Sequence, residues 1–321
     1  MIGLRDIKEA GKSVAGEVHE TPLLQSRTLS EMADNEVYLK AEHLQKTGSF
    51  KIRGAANKLK SLAGTTKHVV AASSGNHGQA VAYMAARLGM KATIFVPDDA
   101  ARCKVDAIKS YGAAVLEGGP TSKTRLAKAR VFSKEKDAVF IPPYDDPFIM
   151  AGQGTVGLEI LRALPEVDVI YVPIGGGGLI SGISTAIKET NPEVRVIGVE
   201  PEGANDAFQS LAAGKIVSID HPETAADGLR ALQPGEMTYP VIRNYVDEIV
   251  LVSETEIKQA FTFMLERMKQ LVEPSGAVAI AAVMANKACV SGKKAAAVVS
   301  GGNVALERIP ALIHTEAISN A

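Results

Sequence analysis

The chain has little of what marks several specialised classes of protein. Among its 321 residues there is no tryptophan, there are only two cysteines, and aromatic residues make up 5%. Two cysteines cannot form a disulfide framework, and neither stands at the spacing of a metal ligand pair. We therefore predict that Cys103 and Cys289 are buried, unreactive thiols, as a reducing compartment allows.

Charge and hydropathy exclude further classes. Lys and Arg number 35 against 36 Asp and Glu, a net charge of −1, whereas a nucleic-acid binder shows a basic excess. The basic residues between Lys104 and Arg130 recur at helical spacing, which predicts a solvated helix face. No apolar run is long enough to cross a membrane, and none follows a basic start. We expect a cytoplasmic protein that binds neither nucleic acid nor membrane.

Short apolar runs alternate with helical patterns along most of the chain, which predicts an α/β fold with largely parallel sheets. Residues 254–268 show the clearest helical periodicity, and Ser253 begins a capping box. No repeat or Pro/Ser-rich linker is present. The predicted strands are residues 37–40, 68–72, 92–96, 113–116, 138–141, 167–173, 194–199, 248–252 and 295–300.

Turns that follow strands deserve inspection, because ligands of parallel α/β proteins bind beyond the carboxyl ends of strands. In residues 48–54, Ser49 is a candidate helix cap and Lys51 falls in the first helical turn. A cation is poorly placed at a helix N-terminus, but the same field favours the neutral amine that Schiff-base chemistry needs. An exposed lysine that tolerates the position is the simpler alternative.

A second turn follows the strand 68–72 and contains Ser73, Ser74, Gly75, Asn76 and His77. Backbone N–H groups of a turn that enters a helix can hold a carboxylate. An ordinary capped turn is the alternative, since Ser, Gly and Asn are all turn formers. Taken alone, His77 is more typical of a hydrogen-bonded structural histidine than of a base.

Gly175, Gly176, Gly177 and Gly178 follow the strand 167–173 and precede a helical pattern. Consecutive glycines at a helix start predict a phosphate-binding nest, although a purely structural loop is also open. Ser300 ends the last strand, where a hydroxyl either meets a ligand or caps a helix. Together the four turns supply an amine, a carboxylate cradle, a phosphate nest and a hydroxyl for a heterocycle nitrogen, which is the set that pyridoxal phosphate (PLP) requires.

With these motifs in this order, the chain resembles the fold type II (tryptophan synthase β-like) PLP enzymes, within them the serine racemase and serine/threonine dehydratase branch. The resemblance implies two parallel-sheet α/β domains with the active site in the cleft between them. Residues 1–58 and 147–321 would form a large domain, and residues 68–145 would form a small domain inserted into it. The protein would be a homodimer. The resemblance extends from Thr21-Pro22-Leu23 to Ser300-Gly301-Gly302-Asn303. It includes the segments Ser49-Phe50-Lys51-Ile52-Arg53-Gly54-Ala55 and Ala151-Gly152-Gln153-Gly154-Thr155.

The resemblance also implies residue roles. Lys51 would bond PLP covalently and act as a base on one face, with Ser74 on the other face of the substrate α-carbon. Phe50 would pack against the ring, Asn76 would bind its phenolic oxygen, and Ser300 would meet the pyridine nitrogen. The four glycines would bind the phosphate, and the turn that contains Ser74 would hold the substrate carboxylate.

Two further expectations rest on the same resemblance. Glu200, the Ala204 carbonyl and Asp206 would form a site for Mg²⁺, or for Ca²⁺ or Mn²⁺, because these ligands are all oxygens. A helix cap with a surface acid is the alternative. Arg125 would bind the second carboxylate of 3-hydroxyaspartate, or else is a solvated arginine.

A hydroxyl at the pyridine nitrogen leaves the ring a weak electron sink, which favours early loss of a β-hydroxyl. We therefore expect a dehydratase (ammonia-lyase) that acts on L-serine, L-threonine or 3-hydroxyaspartate. A racemase with Lys51 and Ser74 as opposite bases is the main alternative. A non-catalytic PLP- or metabolite-binding protein is the third, against which both residues argue. The chain ends at Ala321, so we expect no C-terminal regulatory domain of the kind that biosynthetic threonine dehydratases carry.

Overall fold

The computed structural model describes residues 1–73, 75–98 and 100–314. Helices and strands alternate along the described chain, as predicted. The strands are β1 (Leu23–Gln25), β2 (Glu36–Lys40), β3 (His68–Ala72), β4 (Lys91–Val96), β5 (Ala114–Glu117), β6 (Val139–Phe140), β7 (Val169–Pro173), β8 (Arg195–Pro201), β9 (Glu248–Val252) and β10 (Lys294–Val298). The helices are α1 (Leu4–Val14), α2 (Arg27–Ala33), α3 (Lys51–Ser61), α4 (Asn76–Arg87), α5 (Arg102–Ser110), α6 (Ser122–Glu135), α7 (Pro147–Ala163), α8 (Gly178–Lys188), α9 (Asp206–Ala213), α10 (Thr238–Tyr245), α11 (Glu254–Glu266), α12 (Pro274–Met284) and α13 (Ile309–Leu312).

The strands form two sheets, which confirms the predicted α/β class with largely parallel sheets. The larger sheet has six strands in the order β1-β2-β10-β7-β8-β9, and the smaller has four in the order β5-β4-β3-β6. All pairs are parallel except β1 with β2. The sequence analysis missed β1, because three residues are too few to show a periodicity.

Both faces of the larger sheet are covered, which explains its continuous apolar strands. Val169 and Tyr171 of β7 pack into one apolar cluster with α11 and α12. Ile170 and Val172 belong to another with α7 and α8. The smaller sheet packs mainly against α3 and α4 on one face and α6 on the other.

The motif Ala151-Gly152-Gln153-Gly154-Thr155 lies in α7 and serves helix packing. A Cβ atom on Gly152 would lie 2.6 Å from the Arg53 carbonyl oxygen, and one on Gly154 would lie 2.8 Å from that of Gly182. Because glycine has no side chain, α7 lies directly against α3 on one side and α8 on the other.

Three local predictions are corrected. Cys103 and Cys289 are exposed rather than buried, because Cys103 lies in α5, where only Ile108 is buried, and Cys289 lies in a turn with φ of 49°. Ser49 does not cap α3: Phe50 is the N-cap residue and makes no side-chain cap. The Ser253 capping box at α11 is confirmed. No helix of the described ranges is long and apolar enough to cross a membrane.

A buried charge network joins the start of α3 to its surroundings. The Arg53 side chain is fully buried, with Nε 2.7 Å from Glu42 Oε2 and Nη1 2.6 Å from Glu159 Oε1. Lys40 Nζ lies 2.6 Å from Glu159 Oε2. These contacts connect β2, the turn after it, α3 and α7. A charge with so little solvent requires partners on several sides, so the network fixes how these elements meet.

We predict that Arg53→Met lowers the free energy of unfolding by about 3–5 kcal/mol, because it leaves Glu42 buried without its cation and leaves Glu159 with Lys40 alone. Denaturant unfolding followed by circular dichroism measures this loss. Arg27→Met is the matched control, since Arg27 and its partner Glu31 are 91% and 63% exposed. Its loss should stay within about 0.5 kcal/mol. Equal losses in the two variants would contradict a stabilising role of the network.

Candidate active site

A cavity of about 540 Å³ lies where the carboxyl ends of strands from both sheets meet. Residues that follow β3, β7 and β10 line it, together with the start of α3 and the turn before α12. The cavity therefore gathers residues from distant parts of the sequence. The predicted site residues among its lining are Phe50, Lys51, Ser73, Gly75, Asn76, His77, Arg125, Gly175, Gly176, Gly177, Gly178 and Ser300.

Lys51 begins α3 and extends its amine into the cavity. Its Nζ atom donates a hydrogen bond of 2.8 Å to the Pro143 carbonyl and lies 5.2 Å from the centre of the Phe50 ring. Burial lowers the Lys51 pKa to about 8, against a smaller opposing effect of the Glu273 charge. The neutral amine is thus accessible near physiological pH. The sequence argument relied on the helix N-terminus, whereas the structure shows burial as a cause that the sequence did not reveal.

The turn after β3 leads into α4 and is held by its own side chains. Ser73 Oγ accepts a hydrogen bond of 3.1 Å from the Gly75 N–H, and Gly75 caps α4 without a side-chain bond. His77 Nε2 lies 3.0 Å from the Ile141 carbonyl oxygen, and burial together with the Lys51 charge lowers its pKa to about 3. His77 is therefore a neutral, structural histidine. Ser74 lies outside the described residues.

Asn76 is fixed by two neighbours that the sequence analysis did not single out for this purpose. Its Nδ2 atom donates to Glu273 Oε1 at 2.6 Å, and its Oδ1 atom accepts from Asn303 Nδ2 at 2.8 Å. A second N–H of the amide then remains to reach a ligand. Burial and the Asp227 charge raise the pKa of Glu273 to about 7, so this acid gains or loses its proton near neutrality.

The glycine segment forms a bare surface at the start of α8. Gly177 has a φ of 90°, a left-handed conformation that glycine adopts without strain. A Cβ atom on Gly177 would lie 2.7 Å from Thr238 Oγ1, and one on Gly176 would overlap the Tyr144 ring. Thr238 Oγ1 also donates to the Gly176 carbonyl at 2.7 Å. Only glycine fits at positions 176 and 177, and the whole segment lines the cavity.

The four residues from Pro143 to Asp146 each contact a different part of the site. Pro143 accepts from Lys51, and Tyr144 covers the glycine segment. Asp145 accepts from the Met237 N–H at 2.8 Å. Asp146 caps α7 and lies 2.6 Å from Lys58 Nζ. This segment therefore ties both sheets to the cavity.

Ser300 is 3% exposed and follows β10 at the cavity wall. Its Oγ atom donates to the Ser275 carbonyl at 3.2 Å, and its own carbonyl accepts from the Phe50 N–H at 3.1 Å. The second contact joins Ser300 directly to the residue before Lys51. Ser300 therefore does not cap a helix, since its hydroxyl and its carbonyl hydrogen-bond to neighbouring segments instead.

Glu200, Ala204 and Asp206 are fully buried and do not line the cavity. Glu200 accepts from the N–H groups of Ala207 and Phe208 at 3.0 and 2.8 Å. Both Asp206 carboxylate oxygens are buried without a partner among the described residues. Burial raises the pKa of Asp206 to about 7, and burial with the Asp206 charge raises that of Glu200 well above its ordinary range. Two carboxyls buried together in this way suit a cation.

The prediction that the basic residues between Lys104 and Arg130 form a solvated helix face is wrong in part. Arg125 in α6 is 8% exposed, donates to Ser122 Oγ at 3.1 Å and lines the cavity. Lys104 in α5 also lines it, with its side chain 11% exposed. Sequence reasoning missed Lys104, Asp227 and Glu273. The acid-proline pair at the start of α12 was a usable signal for Glu273, whereas Lys104 and Asp227 meet only through the fold.

Comparison with known proteins identifies the family of this chain. The family model described as pyridoxal-phosphate dependent enzyme matches residues 14–301. The chain belongs to this family. It is 48% identical to an L-threonine ammonia-lyase of Thermotoga maritima, over 98% of this chain and 79% of the other, and 43% identical to the catabolic L-threonine dehydratase of Escherichia coli, over 96% and 95%. It also resembles the structure of maize serine racemase, with a TM-score of 0.93, 40% identity and coverage of 97% and 96%. The fold and family predicted from the sequence are confirmed.

The lining of the cavity fits the cofactor of the family. Lys51 offers an amine of lowered pKa, and the bare glycine segment offers a nest from which side chains are excluded. Asn76 keeps an N–H, and Ser300 places a hydroxyl on the wall. These groups all line one cavity, as the binding of a ring with a phosphate arm requires.

We predict that borohydride reduction of the PLP-loaded protein traps the cofactor on the peptide that contains Lys51. With apoprotein, the rate of attachment should rise as pH passes through about 8 rather than the ordinary 10.5, because the neutral amine is the nucleophile. Mass spectrometry and absorbance measure the two effects. Lys51→Ala should lose the label, and Lys46→Ala, at a partly exposed lysine, should keep it. A label that persists in Lys51→Ala would refute the assignment.

Proposed function

We propose that this protein is a PLP-dependent ammonia-lyase that converts a β-hydroxy-α-amino acid to a 2-oxo acid and ammonia, with L-threonine the preferred substrate. The observation that carries the proposal is the Lys51 amine, of lowered pKa, in one cavity with the turn after β3 and the glycine segment. The threonine-specific relatives support the choice of substrate.

Each residue would have a defined task. Phe50 packs beside the cofactor ring, Asn76 donates its remaining N–H to the phenolic oxygen, and the glycine segment holds the phosphate. The backbone of the turn from Ser73 to His77 holds the substrate carboxylate and so fixes the α-carbon. Lys51 then removes the proton from the α-carbon. PLP, when bound, supplies the electron sink for this step.

Ser300 determines which outcome follows proton removal. A hydroxyl beside the pyridine nitrogen does not force that nitrogen to stay protonated, as a carboxylate would. Negative charge on the α-carbon is then poorly stabilised, and expulsion of the β-hydroxyl relieves it. The β-hydroxyl takes the proton that Lys51 removed from the α-carbon and leaves as water. Hydrolysis of the released enamine then consumes one water and gives the 2-oxo acid and ammonia.

We predict rapid ammonia release from L-threonine and slower release from L-serine, both lost in Lys51→Ala by a factor of at least about 10³. A coupled assay of ammonia over L-threonine, L-serine, D-serine and the 3-hydroxyaspartate isomers measures the preference. Preferred release from a hydroxyaspartate would replace threonine as the substrate and make Arg125 its second carboxylate ligand. Cofactor-loaded protein that releases no ammonia from any of them would refute the lyase.

Racemisation is the second candidate, because the chain is also 41% identical to a serine racemase of Oryza sativa. It requires a base on each face of the α-carbon, Lys51 and Ser74. Chiral analysis of serine recovered from D₂O distinguishes the two functions. A pure lyase leaves no inverted, deuterated serine, whereas a racemase accumulates it.

We also propose that Glu200, the Ala204 carbonyl and Asp206 bind Mg²⁺ or a similar divalent cation. The partnerless Asp206 oxygens support this proposal, because buried carboxylates without hydrogen bonds are costly unless a cation neutralises them. The described residues contain no cluster of three or more His, Cys, Asp and Glu side chains that could hold a metal ion. A site of two carboxylates and a carbonyl, completed by water, favours oxygen-seeking cations over zinc.

We predict that millimolar Mg²⁺ raises the thermal midpoint of the protein, since a cation that binds only the folded state stabilises it. Asp206→Asn should abolish the increase, because it removes a charged ligand. Differential scanning calorimetry with and without Mg²⁺ measures the shift. Glu202→Gln, an exposed acid in the same segment, should respond as the wild type does. An undiminished shift in Asp206→Asn would exclude this site.

Four wider expectations complete the proposal. The two sheets support a large domain of residues 1–58 and 147–321 with a small inserted domain of residues 68–145, although α3 packs into the apolar cluster of the smaller sheet. We propose that the active enzyme is a homodimer in the cytoplasm and that its substrate is a small free amino acid.

A further inference from the structure

Lys104 and Asp227 form an ion pair on the cavity wall that the proposed chemistry does not use. Lys104 Nζ lies 2.7 Å from Asp227 Oδ2, and the two side chains are only 11% and 20% exposed. Lys104 belongs to α5, beside the smaller sheet, whereas Asp227 begins a 3-10 turn between β8 and β9 of the larger sheet. The pair therefore joins the two sides of the cavity.

The Lys104 side chain passes directly over Gly75. A Cβ atom on Gly75 would lie 3.1 Å from Lys104 Cδ and 3.4 Å from its Nζ. A larger residue at position 75 would crowd this path. The ammonium group thus lies against the turn to which the proposed function assigns the substrate carboxylate.

Two positive features meet at this point. The α4 helix has 12 residues and begins at Asn76 with no side-chain cap, so the positive end of its dipole faces the turn. A lysine beside a helix N-terminus is unfavourable unless an anion is near. Asp227 supplies one anion to the ammonium. A carboxylate that enters the turn would meet both the helix end and the ammonium.

We propose that Lys104 is a substrate-binding residue whose charge is divided between Asp227 and the α-carboxylate of the amino acid. Asp227 then competes with the substrate for the ammonium and sets how tightly the carboxylate is held. This inference rests on the proposed function for the class of ligand. It adds a side-chain cation to a cradle otherwise made of backbone N–H groups.

Opposite effects of two substitutions test the proposal. The probe is L-2-aminobutyrate, which has the α-carboxylate but no β-hydroxyl to lose, titrated calorimetrically into PLP-loaded protein. Lys104→Gln should weaken binding by about 10- to 100-fold, the effect of losing a charge-assisted hydrogen bond. Asp227→Asn should tighten it by about two- to fivefold, because the ammonium is released to the ligand. Lys104→Arg should restore most of the binding.

A purely structural role gives a different pattern. If the pair only fastens the two sides of the cavity, Lys104→Gln and Asp227→Asn break the same contact and weaken binding alike, which overturns the proposal. Lys109→Gln, an exposed lysine of the same helix, is the matched control and should bind as the wild type does. Thermal midpoints and the cofactor absorbance verify that each variant is folded and loaded.

A ligand without the charge makes the test specific to the carboxylate. L-2-aminobutyramide replaces the carboxylate by an amide, so the ratio of acid to amide affinity should fall about 10-fold or more in Lys104→Gln. An unchanged ratio refutes the proposal even where Asp227→Asn fails to fold. If the lyase proposal fails, no hydroxy amino acid releases ammonia. The binding measurements with L-2-aminobutyrate and its amide still test the role of Lys104, because they do not depend on ammonia release.

Discussion

The buried guanidinium of Arg53 governs where the reactive amine can lie. Arg53 lies two residues after Lys51 in the first turn of α3, and its charge is enclosed between Glu42 and Glu159 with no access to solvent. Moving the first turn of α3 would separate these charges in a region of low polarity, at a cost of several kcal/mol. The helix start therefore has one stable position. From this position Lys51 reaches both the Pro143 carbonyl and the cavity. The placement of the reactive amine therefore depends on the ion pairs of Arg53, which lie away from the substrate.

Most of the site could be predicted because its residues follow strands directly. The turn from Ser73, the four glycines and Ser300 stand out as polar or glycine-rich turns against apolar strands, and parallel strands present their carboxyl ends at one edge. Lys51 does not follow a strand, and it stands out instead as a cation in the first turn of a helix. Residues that reach the cavity from elsewhere left no such pattern. Lys104 looked like one more basic residue on a solvated helix, and only the fold brings it to Asp227.

The failures in the fold have related causes. β1 is too short to show alternation, and its pairing with β2 is determined by tertiary contacts. The cysteines were assigned to the interior from their average behaviour, yet α5 buries a single residue and so exposes Cys103. The size of the Lys51 pKa shift also required the structure, because its main cause is burial of the amine, which no local sequence pattern shows. Local pattern predicts elements, whereas the depth at which each lies depends on the assembled layers.

The contacts of the segment from Pro143 to Asp146 depend on the number of residues in it. Four consecutive residues bind four separate partners, Lys51, the glycine segment, the start of α10 and the start of α7. Because successive residues advance by a fixed distance, one inserted or deleted residue would displace several of these contacts at once. The number of residues in this segment is therefore constrained by all four contacts together, whereas each side chain is constrained by its own contact alone. Related proteins should therefore keep the length of this segment.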